Sequence, residues 1–270
     1  MEISLEKIKE LREKSGVGMA DCKNALTEAE GDLEKAIEIL RKKGVAKAAK
    51  RSDRETGEGL VKVAVNEEGN EGYIFELNAE TDFVVRSEQF QNFAEKLIEI
   101  VSAAKPENKD KMMNLVLEDG NTVQTALENL SSVVGEKLDI KRYDILTSGG
   151  SVAAYSHQGG RIGVLVAIDK SKDAELAREI AMQIAAVNPK YINPEDVSEE
   201  EINKEKEIYT EQLRKEGKPE EMITKIMAGK INKYFEEICL SRQEFIKDDT
   251  KKVCDVLGNA KVEKFIRFAL

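Results

Sequence analysis

The chain has no tryptophan, one histidine, three cysteines and four prolines among 270 residues, and aromatic side chains make up 5% of it. A single histidine excludes a multi-histidine metal site and leaves His157 as the only centre for a Ser-His-Asp arrangement. His157 sits in a glycine-rich turn and nothing in the pattern marks a nucleophile for it, which reads as a solvated turn residue. The cysteines Cys22, Cys239 and Cys254 are odd in number, far apart and free of any CxxC pair. That pattern predicts reduced thiols rather than a disulfide framework or a structural zinc site. No apolar run reaches membrane-spanning length. The start Met1-Glu2-Ile3-Ser4 lacks the basic and apolar regions of a signal peptide, so a cytoplasmic chain is expected and the Asn129-Leu130-Ser131 sequon is read as accidental. The phosphate-loop pattern GxxxxGK[ST], GxGxxG after a strand, HExxH and GxSxG are all missing. Their absence argues against an enzyme, and no metal or cofactor is expected.

Charge, by contrast, is abundant. Charged residues supply 35% of the chain and apolar ones 41%, which describes a folded protein with long solvated helices. The net charge of −10 argues against broad binding to nucleic acid or anionic membranes, because phosphate neutralisation needs clustered Lys and Arg. The length predicts two or three domains.

Leu5, Ile8 and Leu11 mark a first short helix, closed by Ser15-Gly16-Val17-Gly18. Met19 to Leu26 is a second, and Leu33, Ala36, Ile37 and Leu40 stripe a third that Asp32 can cap. Three short helices make a bundle with a small core. The stretch Lys42–Arg51 is basic and poor in bulky residues, and reads as a flexible linker with a local positive patch. It lacks the interleaved aromatics that single-stranded nucleic acid would stack upon.

An internal repeat follows. Gly59–Val65, a Gly69-Asn70 turn and Tyr73–Leu77 form a predicted hairpin, followed by a helix from Ser87 with Phe90, Phe93, Ala94, Leu97, Ile98 and Val101 on one face. Gly150–Tyr155, the turn His157–Gly160 and Ile162–Ile168 form another, again followed by a helix, over Ala174–Ala185. Each hairpin can be covered by its own helix, so the fold class expected is α+β with two repeated subdomains. Between them the pattern predicts a short helix near Met112–Leu117, a helix from Thr122 to Val134 with a capping box over Asn121–Gln124, and a strand over Asp139–Leu146. Past Asn193-Pro194 two charged helical arms flank Gly217-Lys218-Pro219, which no helix runs through. They predict an antiparallel helical hairpin inserted into the second unit. A helix near Lys251–Leu257 and a strand over Lys264–Phe268 close the chain. The expected domains are 1–51, 52–147, 148–192 with 241–270, and the insertion 193–240.

One stretch stands out: Asn78-Ala79-Glu80-Thr81-Asp82-Phe83-Val84-Val85-Arg86, between a strand and the helix capped by Ser87. A phenylalanine there either folds into the core or is presented beside a carboxylate as an apolar wedge. The residues Thr81-Asp82-Phe83-Val84 resemble those found at this place in the elongation factor Ts family. Gly16-Val17-Gly18-Met19 with Asp21-Cys22-Lys23, His157–Leu165, Phe245–Lys251 and Phe265–Phe268 are similar to further segments of that family, in the same order. Val133-Val134-Gly135-Glu136 approximates its apolar-Gly-Glu step. The Gly16–Met19 turn also resembles ubiquitin-associated domains, so the bundle is expected to be UBA-like.

The resemblance implies a guanine-nucleotide exchange factor that binds elongation factor Tu, GDP-bound and nucleotide-free, and needs no active site of its own. Thr81, Asp82, Phe83 and Val84 would then form the wedge that dislodges Mg²⁺ from the partner. Lys23, Arg51, Val134, Gly135, His157, Ile246 and Lys247 would be further partner contacts, and self-association through the helical hairpin is open. An adaptor built on the UBA-like bundle and a hydrolase using His157 are the alternatives.

Overall fold

The computed structural model describes residues 3–49, 51–169 and 173–270, with residues 45–49 as backbone alone. Three amphipathic helices come first: α1 (Leu5–Ser15), α2 (Met19–Glu28) and α3 (Leu33–Ala49). Ile8, Leu11, Cys22, Ala25, Leu26, Ala36 and Leu40 enclose a small core between them. Ser4 caps α1 by accepting from the Lys7 amide, and Asp32 accepts from Lys35 at the start of α3. The flexible linker expected over Lys42–Arg51 is not found, because α3 continues to Ala49. Ala, Lys and Arg are strong helix formers, so a lack of bulky side chains does not end a helix. Of the positive patch expected there, Lys42 pairs with Glu38, Lys43 with Glu28, and Arg51 donates to the Ser131 carbonyl, whereas Lys50 and the Lys47 side chain lie outside the described residues.

Strands β1 (Glu58–Val65) and β2 (Glu71–Ala79) form an antiparallel hairpin. Helices α4 (Asp82–Val85), α5 (Glu88–Ala104), α6 (Lys109–Met113) and α7 (Val123–Val134) follow, and β3 (Leu138–Thr147) returns to pair with β2. The short helix expected at 112–117 therefore lies earlier, and Val116 instead makes a lone bridge to Thr122. Thr122 caps α7 by accepting from the Thr125 amide, with a threonine rather than a Glu or Gln at the reciprocal place, so no capping box forms.

The second sheet repeats the plan. Strands β4 (Ser151–His157) and β5 (Ile162–Ile168) form a hairpin, α8 (Ala174–Val187) follows, and the final strand β8 (Val262–Ala269) pairs with β5. Before β8 come the helical arms α9 (Glu199–Lys215) and α10 (Glu220–Ile238), a small hairpin of β6 (Glu244–Phe245) and β7 (Asp248–Lys252), and α11 (Val253–Leu257). The Glu201 carboxylate accepts from the hydroxyls of Tyr191 at 2.6 Å and Tyr234 at 2.7 Å. These bonds fasten the base of the helical hairpin and hold Glu201 below the usual carboxylate range.

Alternation along the strands sends side chains to two faces. Tyr73, Phe75 and Leu77 of β2 meet Phe90, Ala94, Leu97 and Val101 of α5. Val164, Val166 and Ile168 of β5 meet Ala177, Ile180, Ala181 and Ile184 of α8. The opposite faces pack on each other through Val61, Ile74, Leu146, Val152, Leu165, Ile266 and Phe268. The result is four layers, helix, sheet, sheet, helix. The two sheets approach so closely that a Cβ at Gly163 would lie 2.4 Å from Val61 Cγ1. Only glycine fits there. Glu76 is buried in the same seam and is paired by Arg142 through Nε at 2.7 Å and through a second, shorter contact. The Arg142 guanidinium also lies over the Phe268 ring of the other sheet, 4.2 Å from its centroid.

The bundle docks on the first unit, α3 lying along α7. Gly16 abuts Val133 and Gly44 abuts Ser132. Among the described residues, no helix is long and apolar enough to cross a membrane.

Candidate partner interface at the strand ends

The strand registers bring one set of ends together. Glu58 opens β1 opposite Ala79 at the end of β2, and Ala79 also pairs with Leu138 at the start of β3. In the second sheet His157 ends β4 opposite Ile162, which pairs in turn with Ala269. Arg161 donates to Glu58 at 3.2 Å, so these ends lie side by side.

At the first of them the chain makes a single helical turn before Ser87. Thr81 caps α4, its hydroxyl accepting from the Val84 amide at 3.5 Å. Val84 and Val85 pack against the first core, while Ser87 Oγ donates to Val84 O and Gln91 Nε2 donates to Val85 O, both at 2.7 Å. Phe83 points the other way and is 82% exposed, more than any other large apolar side chain among the described residues. It is no core residue. A turn whose two valines face inward has no inward place left for the phenylalanine between Asp82 and Val84. Asp82 does not stand free beside it, since Arg86 pairs with it at 3.0 Å.

His157 is exposed at the end of β4. Its Nδ1 lies 3.0 Å from the Tyr155 hydroxyl and the two rings stack at 5.8 Å between centroids. Residues two apart on a strand share a face, so the alternation of β4 itself produces this pair. Among the described residues, no carboxylate is bonded to the imidazole.

Residues 80–270 match the family model described as Elongation factor TS. The chain belongs to the elongation factor Ts family. Members are translation elongation factors that act as nucleotide exchange factors, with elongation factor Tu as partner. The matched region begins at Glu80, so it takes in both strand-end features and leaves the bundle and the first hairpin outside.

The remaining expected contacts of this family member are scattered around the fold. Ile246 is exposed at the tip of the β6–β7 hairpin, and its amide donates to buried Gln183 of α8 at 2.8 Å. Lys247 beside it pairs with Glu179 at 2.9 Å. Lys23 is exposed on α2. Arg51 is half-buried and donates to the Ser131 carbonyl at 3.0 Å, which makes it a strut between the bundle and α7. Val134 is partly buried against the first core, and Gly135 ends α7 with φ of 81°, the left-handed cap that favours glycine. Three residues that sequence reasoning did not assign support these positions: Glu136 under Thr81, Tyr155 beside His157, and Gln183 under Ile246. The apolar-Gly-Glu step and the period-two spacing carried a signal for the first two; for Gln183 the signal was a polar residue inside an apolar helix face. Among the described residues, no cluster of His, Cys, Asp and Glu is arranged to hold a metal ion.

Proposed function

We propose that this protein binds elongation factor Tu carrying GDP and speeds release of the nucleotide, with Phe83 as the apolar wedge. The observation that carries the reading is the exposure of Phe83, 82%, on a turn whose neighbouring valines are tied into the core. Mg²⁺ holds near-ideal octahedral geometry with ligands at about 2.0–2.1 Å, so a small displacement of one ligand weakens it strongly. A side chain that shifts a helix of the partner by about an ångström loosens metal and phosphates without touching either. Asp82, with Arg86 beside it, supplies the polar contacts flanking the wedge, and Thr81 and Val84 fix its base. His157 makes a second contact, on another part of the partner, which the adjacency of the two sheet ends permits in one binding face. The bundle, residues 1–51, adds grip through Lys23 as a UBA-like module. Residues 52–147 and 148–192 with 241–270 act as the core, and 193–240 as a coiled-coil insertion that is free to self-associate through exposed Ile208 and Met222. The acidic charge of −10 supports a cytoplasmic protein partner over nucleic acid. Bound nucleotide and this protein then weaken each other's affinity for the partner by the same factor.

The test is release of fluorescent GDP from purified elongation factor Tu. Substoichiometric protein accelerates release through repeated rounds if the reading holds. No acceleration at any concentration that forms a complex would overturn it.

A further inference from the structure

A single helical turn does not hold its shape alone, because nucleation fixes several residues for one hydrogen bond. Helix α4 is four residues long and none of its residues is fully buried. Something outside it must therefore set where Phe83 points. The Thr81 amide donates to Glu136 Oε2 at 3.0 Å and the Thr81 hydroxyl donates to Glu136 Oε1 at 2.7 Å. In return, the Lys137 amide donates to Glu80 Oε1 at 2.6 Å. Two adjacent residues of one loop thus exchange carboxylate-to-amide bonds with two adjacent residues of another. Ser131 Oγ, donating to the Glu136 carbonyl at 2.5 Å, pins the second loop to the end of α7. Arg54 pairs with Glu80 at 3.1 Å, and Lys137 Nζ donates to the carbonyls of Ser52 and Arg54 at 2.6 and 2.8 Å. The start of the core chain is drawn into the same knot.

We infer that Glu136, with Glu80 as its reciprocal partner, is a positioning residue that holds the Thr81–Val84 turn rigid so that Phe83 is presented ready for insertion. This inference rests on the wedge reading. A wedge on a loose turn loses its push to reordering of its own backbone, whereas a clamped one delivers it to the partner. The clamp acts by geometry, since both Glu136 oxygens are used on Thr81. Glutamine at 136 can keep the arrangement without charge, its amide oxygen accepting from the Thr81 amide and its NH2 donating to the Thr81 hydroxyl.

The experiment measures fluorescent-GDP release from elongation factor Tu over a range of protein concentrations, for wild type, Glu136→Ala, Glu136→Gln, Glu80→Ala and Phe83→Ala, with the folded fraction of each fixed by circular dichroism. Losing two charge-assisted bonds in Glu136→Ala should lower the maximal rate per folded molecule about tenfold. The half-saturating concentration should change by less than about threefold, because the rest of the binding face is intact. Glu136→Gln should recover to within about threefold of wild type, and Glu80→Ala should show a smaller loss in the same direction. A maximal rate for Glu136→Ala within about twofold of wild type, while Phe83→Ala is slow, overturns the clamp and leaves the wedge standing. Equal slowness of Glu136→Gln and Glu136→Ala makes charge rather than position the cause and also overturns it. Normal release by Phe83→Ala removes the wedge reading itself, and the clamp with it.

Discussion

Arg161 and Glu58 meet at 3.2 Å across the boundary between the two sheets, joining the turn after His157 to the strand whose first residue pairs with Ala79. The turn bearing Phe83 begins two residues beyond Ala79. Two features that lie 74 residues apart in the chain are thus held on neighbouring strand ends, on a scaffold whose close sheet packing resists shear.

Phe83→Ala should leave the fold almost untouched. Little of the ring is removed from water in the free protein, so the unfolding free energy should change by no more than about 0.5 kcal/mol. Nucleotide release should fall severely, and Phe83→Leu should keep part of it. A large drop in the urea midpoint for Phe83→Ala would contradict the exposed placement.

Gly163→Ala tests the sheet-to-sheet seam. The added methyl would sit 2.4 Å from Val61 Cγ1 and 3.0 Å from Val63 Cγ1, both in a packed layer. Overpacking of this kind should cost about 1–3 kcal/mol of stability, read as a lower urea midpoint at unchanged slope.

His157→Ala should slow exchange less than Asp82→Ala and Phe83→Ala combined. Tyr155→Phe, which removes the 3.0 Å bond to Nδ1, should have a smaller effect in the same direction. The isolated chain should not hydrolyse GTP in any of these backgrounds. Turnover by the purified protein that disappears in His157→Ala would show that the histidine does chemistry.

The bonds from the Lys137 amide and from Arg54 hold Glu80 below the usual carboxylate range. Its folded pKa is depressed, so the stability it contributes is present above the unfolded value of about 4.3 and is lost as pH falls through the folded one. Unfolding midpoints should therefore drop between neutral pH and pH about 3, and Glu80→Gln should flatten part of that slope. An identical slope in the variant would mean the bond to Lys137 is not maintained in solution.

Removing residues 1–51 should weaken complex formation while the remaining core still unfolds cooperatively, at a lower temperature. Loss of Gly16 from Val133 and of Arg51 from the Ser131 carbonyl uncovers one side of α7. Titration of the truncated core against elongation factor Tu checks the first part, and calorimetry the second. A core that binds as tightly as the whole chain would contradict the assigned grip of the bundle.

Local pattern determined much of this protein. Period-two alternation in Tyr73–Leu77 and Val164–Ile168, helical stripes from Phe90 and Ala174, and the break at Gly217-Lys218-Pro219 each fixed an element, because each depends on neighbours within a few residues. The Thr81–Val84 stretch drew notice through its resemblance to the elongation factor Ts family, while local pattern alone left open whether Phe83 turns to the core or to solvent. The linker was misread because low bulk was taken for flexibility where propensity favoured helix.

What the chain's order could not show is contact between distant segments. The second buried face of each sheet, the pairing of β3 beside β2 and of β8 beside β5, and the meeting of Arg161 with Glu58 depend on which faces find one another after both units have formed. So does the outward direction of Phe83, decided by Val84 and Val85 taking the inward positions, and by Glu136, 55 residues away, gripping Thr81. A carboxylate with two oxygens in reach of one amide and one hydroxyl is a matter of ångströms, and only the tertiary packing brings them that close.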